Sequence, residues 1–267
     1  MSNKNFLLSI FLILNLNGSV GALEHPMDLK QFSYPNFQDN PYLDERMRVM
    51  MTPYLLPLDH PVKTMLDCIF SQSRAIENKQ TLIEAGFIII ASMPGSFVIV
   101  ARHPLIPGYV FKLYLDTEMR SKDGIANCEW LTRRCMGAEK IKRTIRQRKI
   151  RHFTVPDKWL YVLPLYPFSN VPHPQPVILV ASDMEPEGEE VTQLAWKTSI
   201  QHRHLDELYA ILKHGYGTTG LVRNIPYTKS GKFAFIDTEY PERHHKLKKI
   251  KTYLSEEMQG YWDTLIR

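Results

Sequence analysis

Cysteine is scarce, with three in 267 residues, too few for a small scaffold held together by disulfides. Cys68, Cys128 and Cys135 are odd in number, so at most one internal bridge can form. If Cys128 and Cys135 share a helix, they lie about 10 Å apart along its axis, beyond disulfide reach. No Cys-x-x-Cys pair is present, which removes the commonest frame for structural zinc. The thiols read as spectators. No run past the N-terminus reaches about 18 consecutive apolar residues, so no transmembrane span is expected. The Gly-x-Ser-x-Gly elbow and the His-Glu-x-x-His helix are also missing, leaving hydrolase chemistry without local support.

What remains is ordinary globular material, 44% hydrophobic and 23% charged. Its length suits one large domain or two lobes sharing a cleft. Lysine and arginine number 33 against 28 acidic residues, a net +5 that favours anionic partners without specifying one. At the N-terminus, Lys4 precedes the short apolar run Phe6 to Leu14, and Val20-Gly21-Ala22 supplies small residues. That order is the pattern of a secretory signal peptide over residues 1–22, cleaved after Ala22. Export would deliver the chain to a periplasm, outside the cell or into a host.

Residues 23–60 lack periodicity and read as an extended N-terminal arm wrapped over a domain or as a partly ordered tail. The spacing of Val62, Met65, Leu66, Ile69 and Phe70 predicts a helix over 61–83. β-Branched runs at 86–92, 96–102 and 109–115 predict a three-stranded meander, and 159–163 and 176–181 predict two further strands. A helix over 137–149 is expected to cover one face, making an α+β unit of residues 61–182. The helix's basic stretch, residues 140–151, carries seven positive charges in twelve residues. It reads as a solvated face or as a contact for an anionic surface. With few aromatics interleaved it is no base-stacking platform, and DNA is not an expected partner. Acidic residues 183–190 form a linker, 190–214 reads as helical, 224–236 as a hairpin and 245–265 as a closing helix, completing a second unit over 183–267.

A lysine at position 112 interrupts an apolar strand, and burying an unpaired ammonium is costly. It serves either a site or, on an edge strand, to block aggregation. Asn224 and Asp237 bracket the hairpin thirteen residues apart. If the hairpin sets their oxygens side by side, they form a pair of hard ligands of the kind Mg²⁺ takes.

The order of strands, helix, linker, helix and Asp-terminated hairpin resembles the protein-kinase-like superfamily, which includes aminoglycoside phosphotransferases and choline kinases. Ile236-Asp237-Thr238-Glu239-Tyr240 resembles the Ile-Asp-x-Glu-Tyr run of choline kinases. The resemblance spans roughly residues 84–240 and implies a two-lobed kinase-like fold, with an antiparallel sheet and one helix in the N-lobe. The C-lobe would be reduced and mainly helical, since 28 residues follow Glu239. It implies that Lys112 and Glu139, with Glu129 as runner-up, hold ATP phosphates, and that Asn224 and Asp237 hold Mg²⁺. The chain departs from the family in two places. Thr219 occupies the position of the catalytic Asp, and threonine cannot accept a proton near neutral pH. The Gly-rich loop is reduced to Pro94-Gly95-Ser96. Asp206 is no substitute, eighteen residues before Asn224 and inside the preceding helix. The leading expectation is therefore an exported pseudokinase or protein-interaction scaffold with a remnant nucleotide and Mg²⁺ cleft. An active ATP-dependent phosphotransferase and a secreted non-enzymatic binding domain are the alternatives.

Overall fold

Alternating β-branched and aromatic residues between Gly and Pro turns build a five-stranded antiparallel sheet. A computed structural model of the chain describes residues 37–218, 220–241 and 245–267. The expected signal peptide, residues 1–22, lies outside the described residues, as does Thr219. The strands are β1 (Ile88–Ser92), β2 (Ile99–Arg102), β3 (Tyr109–Leu113), β5 (Lys158–Val162) and β6 (Val177–Ser182), in spatial order β1-β2-β3-β6-β5. β3 is thus the central strand. A short strand, β4 (Phe153–Thr154), pairs in parallel with β7 (Phe233–Ala234) and forms a second, two-stranded sheet.

Both faces of the large sheet are covered, which corrects the expectation of one helix. On one face Phe111, Leu113, Ile178 and Val180 meet Leu66 and Phe70 of α2 (Pro61–Gln72) and Leu82 of α3 (Lys79–Glu84). The single helix expected over 61–83 is these two, because Asn78 caps a fresh turn by accepting from the Gln80 and Thr81 amides. On the other face Leu160, Val162, Val177 and Leu179 meet Leu131 and Cys135 of α4 (Asn127–Arg148). α4 begins ten residues before the expected 137, since Cys128, Trp130 and Leu131 supply a buried stripe N-terminal to the basic stretch.

Within the expected arm, residues 45–51 are helical. Asp44 caps α1 (Glu45–Met51) by accepting from the Met47 amide at 2.7 Å, and Met47 and Met51 bury one turn apart against the α4 face. A single turn of stripe is too short to show as periodicity. Leu56 then donates to Leu160 O at 2.8 Å, fastening this segment beside β5.

A third core gathers Phe153, Trp196, Phe233, Phe235 and Trp262 with Ala138 and Ile141 of α4. Around it stand α5 (Glu189–Thr198), α6 (His202–Leu212) and α8 (Glu256–Leu265), with the short α7 (Leu221–Asn224) closing one side. The helix expected over 190–214 is α5 and α6, parted at 199–201. The closing helix is a 3₁₀ segment, Leu247–Tyr253, followed by α8, which Ser255 caps. α4 borders both this core and the sheet, so it spans the junction where the candidate site lies. Among the described residues no helix is long and apolar enough to cross a membrane.

Candidate functional site

Lys112 sits at the middle of the sheet, paired with Val100 of β2 and Leu179 of β6. That position removes the edge-guarding role. Its Nζ donates to Ile236 O at 3.1 Å and lies 3.6 Å from Asp237 Oδ1.

The hairpin delivers Asp237 to this point. Thr228 N donates to Lys232 O at 2.9 Å, Ala234 N to Pro226 O at 3.0 Å and Ile236 N to Asn224 O at 3.0 Å. The outgoing arm is fixed from its other side by β4, where Phe235 N donates to Thr154 O at 2.9 Å. Asn224 ends α7, and its side-chain amide donates to Thr218 Oγ1 at 3.2 Å. Lys112, Asn224 and Asp237 all line one cleft of ≈ 290 Å³ between the sheet and the hairpin. Val98, Val100, Val110 and Ala181 give it an apolar wall, and Asp183 and Met184 of the linker close one end.

Three basic residues absent from the sequence expectations complete the cluster. Arg134, on α4, is buried, with Nη2 2.5 Å from Glu239 Oε2 and Nε 3.3 Å from Asp237 Oδ1. Lys158, at the start of β5, is also buried and donates to Ile236 O at 3.1 Å and Thr238 Oγ1 at 2.8 Å. Lys122 holds the other side of Glu239 at 2.6 Å. Three cations (Lys112, Lys122, Arg134) thus face two carboxylates (Asp237, Glu239), a local excess of one positive charge, and the Lys158 amine shares the Ile236 carbonyl with Lys112.

The titration shifts follow from this packing. Burial alone would raise the Asp237 carboxyl, but Lys112, Arg134 and Lys158 together hold it well below the usual carboxylate range. Burial lowers Lys112, with Asp237 opposing. Burial and the neighbouring Lys112 charge push Lys158 well below an ordinary lysine. Arg134 is raised, because Asp237 and Glu239 outweigh the burial that acts to lower it.

A glycine makes the approach of α4 possible. A Cβ built on Gly137 would lie 2.1 Å from Thr238 O, a separation no side chain tolerates. Thr238 Oγ1 in turn donates to Arg134 O at 2.6 Å. The segment after the hairpin therefore lies directly on the helix backbone, which sets Asp237 and Glu239 against Arg134.

Neither helix acid expected beside Lys112 is there. Glu139 pairs with Arg146 at 3.0 Å, and Glu129 pairs with Arg46 at 2.6 Å and Arg133 at 2.7 Å. Each lies five residues from Arg134, about 140° around the helix from the face that meets Asp237. The carboxylate beside Lys112 is Asp237, and the helix offers it an arginine. Asp206 lies on α6 and accepts the Tyr261 hydroxyl at 2.7 Å, away from the cleft-lining residues. In the basic stretch Lys142 pairs with Asp157 and Arg146 with Glu139, so part of its charge is balanced locally.

Asn224 and Asp237 share the cleft. Asp237 Oδ1 faces two cations, and the Asn224 side-chain nitrogen donates to Thr218. Among the described residues no group of three or more His, Cys, Asp or Glu is placed to hold a metal ion. No protein-family model matches the chain, and no curated protein matches it.

Sequence signals for the missed residues existed. Lys158 heads the apolar run Trp159-Leu160-Tyr161-Val162 and carries the same anomaly as Lys112. Gly137 lies inside a helical segment, where glycine costs about 1 kcal/mol relative to alanine unless close packing requires it.

Proposed function

We propose that the chain is an exported kinase-like protein without a catalytic acid, acting as a nucleotide-binding pseudokinase and protein-interaction scaffold. On this reading the sheet with α2, α3 and α4 is the N-lobe, and α5 to α8 are a reduced C-lobe. The observation that carries it is the meeting of Lys112, from the central strand, with Asp237, from the end of the hairpin, in a cleft that Asn224 also lines. The strand order β1-β2-β3-β6-β5, with α4 crossing between β3 and β5, supports the same reading.

In this cleft the apolar wall takes a flat base, and the linker backbone at Asp183 and Met184 offers it hydrogen bonds. Lys112 and Arg134 take the phosphates. Thr219 stands where a proton-accepting aspartate would orient a hydroxyl, so binding is expected and phosphoryl transfer is not.

Thermal unfolding of the chain with ATP, beside Lys112→Ala, tests the proposal. A nucleotide at about a hundred times its Kd stabilises the folded state by about 2.7 kcal/mol. The expected result is a rise in Tm for the wild type that the variant loses. No rise in the wild type overturns the nucleotide reading.

A further inference from the structure

We infer that the cleft binds a polyphosphate chain directly on Lys112 and Arg134 without a divalent cation, so that Mg²⁺ competes with the protein for the ligand. The identification of that chain as a nucleotide's rests on the proposal above. The anion site itself rests on charge and geometry.

A metal-bridged phosphate site needs a local charge low enough to admit a dication. This cleft does not offer it. Asp237 Oδ1 is held between Arg134 at 3.3 Å and Lys112 at 3.6 Å, and Glu239 is held between Arg134 and Lys122. The Lys158 amine lies within the same cluster, bound to the carbonyl that Lys112 also uses. A dication at Asp237 would meet these like charges at close range. A phosphate meets the opposite situation. Three cations (Lys112, Lys122, Arg134) against two carboxylates leave one positive charge uncompensated, and Lys112 and Arg134 both line the cleft. The Arg134 guanidinium, held by Asp237, Glu239 and Trp130 O, fixes a positive charge at the cleft wall beside the Lys112 ammonium. In effect the guanidinium stands where a metal's charge would otherwise be needed. Mg²⁺ in solution would bind the free polyphosphate and cancel the charge that the cleft attracts.

The test is calorimetric titration of the full chain with ATP and with inorganic tripolyphosphate, each in EDTA and in excess Mg²⁺. Both ligands should bind in EDTA, and Mg²⁺ should weaken each by about tenfold or more. Arg134→Gln frees Asp237 and should lose about tenfold in EDTA while gaining a Mg²⁺ requirement, whereas Arg134→Lys should keep metal-free binding. Should Arg134→Gln not fold, Lys112→Ala must lose tripolyphosphate in EDTA. ATP binding only with Mg²⁺ overturns the inference and leaves the nucleotide proposal standing. Tripolyphosphate binding without ATP binding supports the anion site and overturns the nucleotide proposal. Binding of neither ligand in any buffer overturns both.

Discussion

Replacing Asp237 with asparagine isolates what the carboxylate does, because the side chain keeps its shape and loses its charge. Lys112 and Lys158 would then remain buried without it, while Arg134 would keep Glu239 as its one carboxylate and Trp130 O as a backbone acceptor. Removing one member of a buried ion pair costs about 3–5 kcal/mol, since the partner stays desolvated and uncompensated. The Asp237 side chain keeps 26% of its accessible surface, so the lower end of that range applies. At about 2–4 °C of Tm per kcal/mol for a chain of this size, the expected fall is about 6–12 °C. Circular dichroism during heating reads it directly. The pH dependence supplies a second check with a fixed sign. A carboxyl whose folded pKa is depressed contributes stability above its unfolded value near 3.9, and this is lost as pH falls through the folded pKa. The gap between wild type and Asp237→Asn should therefore be full at neutral pH and narrow below about pH 4. A fall in Tm under about 2 °C, or a gap unchanged in acid, would show that solvent rather than the cations stabilises the carboxylate.

Lys158→Met should be neutral, or stabilising by about 1 kcal/mol, in thermal unfolding at pH 7. It removes a like charge beside Lys112, and Ile236 O keeps Lys112 as donor. The wild type should also gain stability as pH rises toward the ordinary lysine range, because folded Lys158 releases its proton before the unfolded chain does; Lys158→Met should show less of this rise. Gly137→Ala gains about 1 kcal/mol of helix propensity but drives a Cβ into Thr238 O, so calorimetry should show a net loss of about 2 kcal/mol and a weakened tripolyphosphate signal. Native protein should react with a thiol reagent at Cys68 alone, with three thiols appearing on denaturation. Cys68 is exposed, whereas burial pushes the Cys128 and Cys135 thiols up to about 11 and about 12.

The strands were legible because period-two alternation between turn residues is a local signal, and each expected strand overlaps an observed one. The hairpin was legible for the same reason, and with it the placement of Asp237 after Ile236. Helix limits were less so. Periodicity alone joined α2 to α3 and α5 to α6, because a side chain that caps a new turn leaves no break in the apolar pattern. The partner of Lys112 was not legible at all. Which residue of α4 faces Lys112 depends on the angular setting of the whole helix, and Gly137 against Thr238 O fixes that setting through a contact 101 residues distant in sequence. A phase set by a long-range backbone approach leaves no trace in local spacing, which points to the nearest helix acid and not to the arginine.

The cation cluster places stability and ligand polarity under one constraint. Every group that fixes Asp237 also lines or borders the cleft, so a ligand changes the fold's stability through the same charges that bind it. An anion entering the cleft adds a partner to Lys112 and Arg134, whose burial is otherwise offset by Asp237, Glu239 and two backbone carbonyls. A dication at Asp237 meets Lys112 and Arg134 at close range, so like-charge repulsion opposes it. Tripolyphosphate should therefore raise Tm in a Lys112-dependent way, while excess Mg²⁺ without an anion should leave Tm unchanged or lower it. A rise with Mg²⁺ alone that Asp237→Asn abolishes would show that the carboxylate leaves its cationic partners readily, and the electrostatic basis of the anion site would fail.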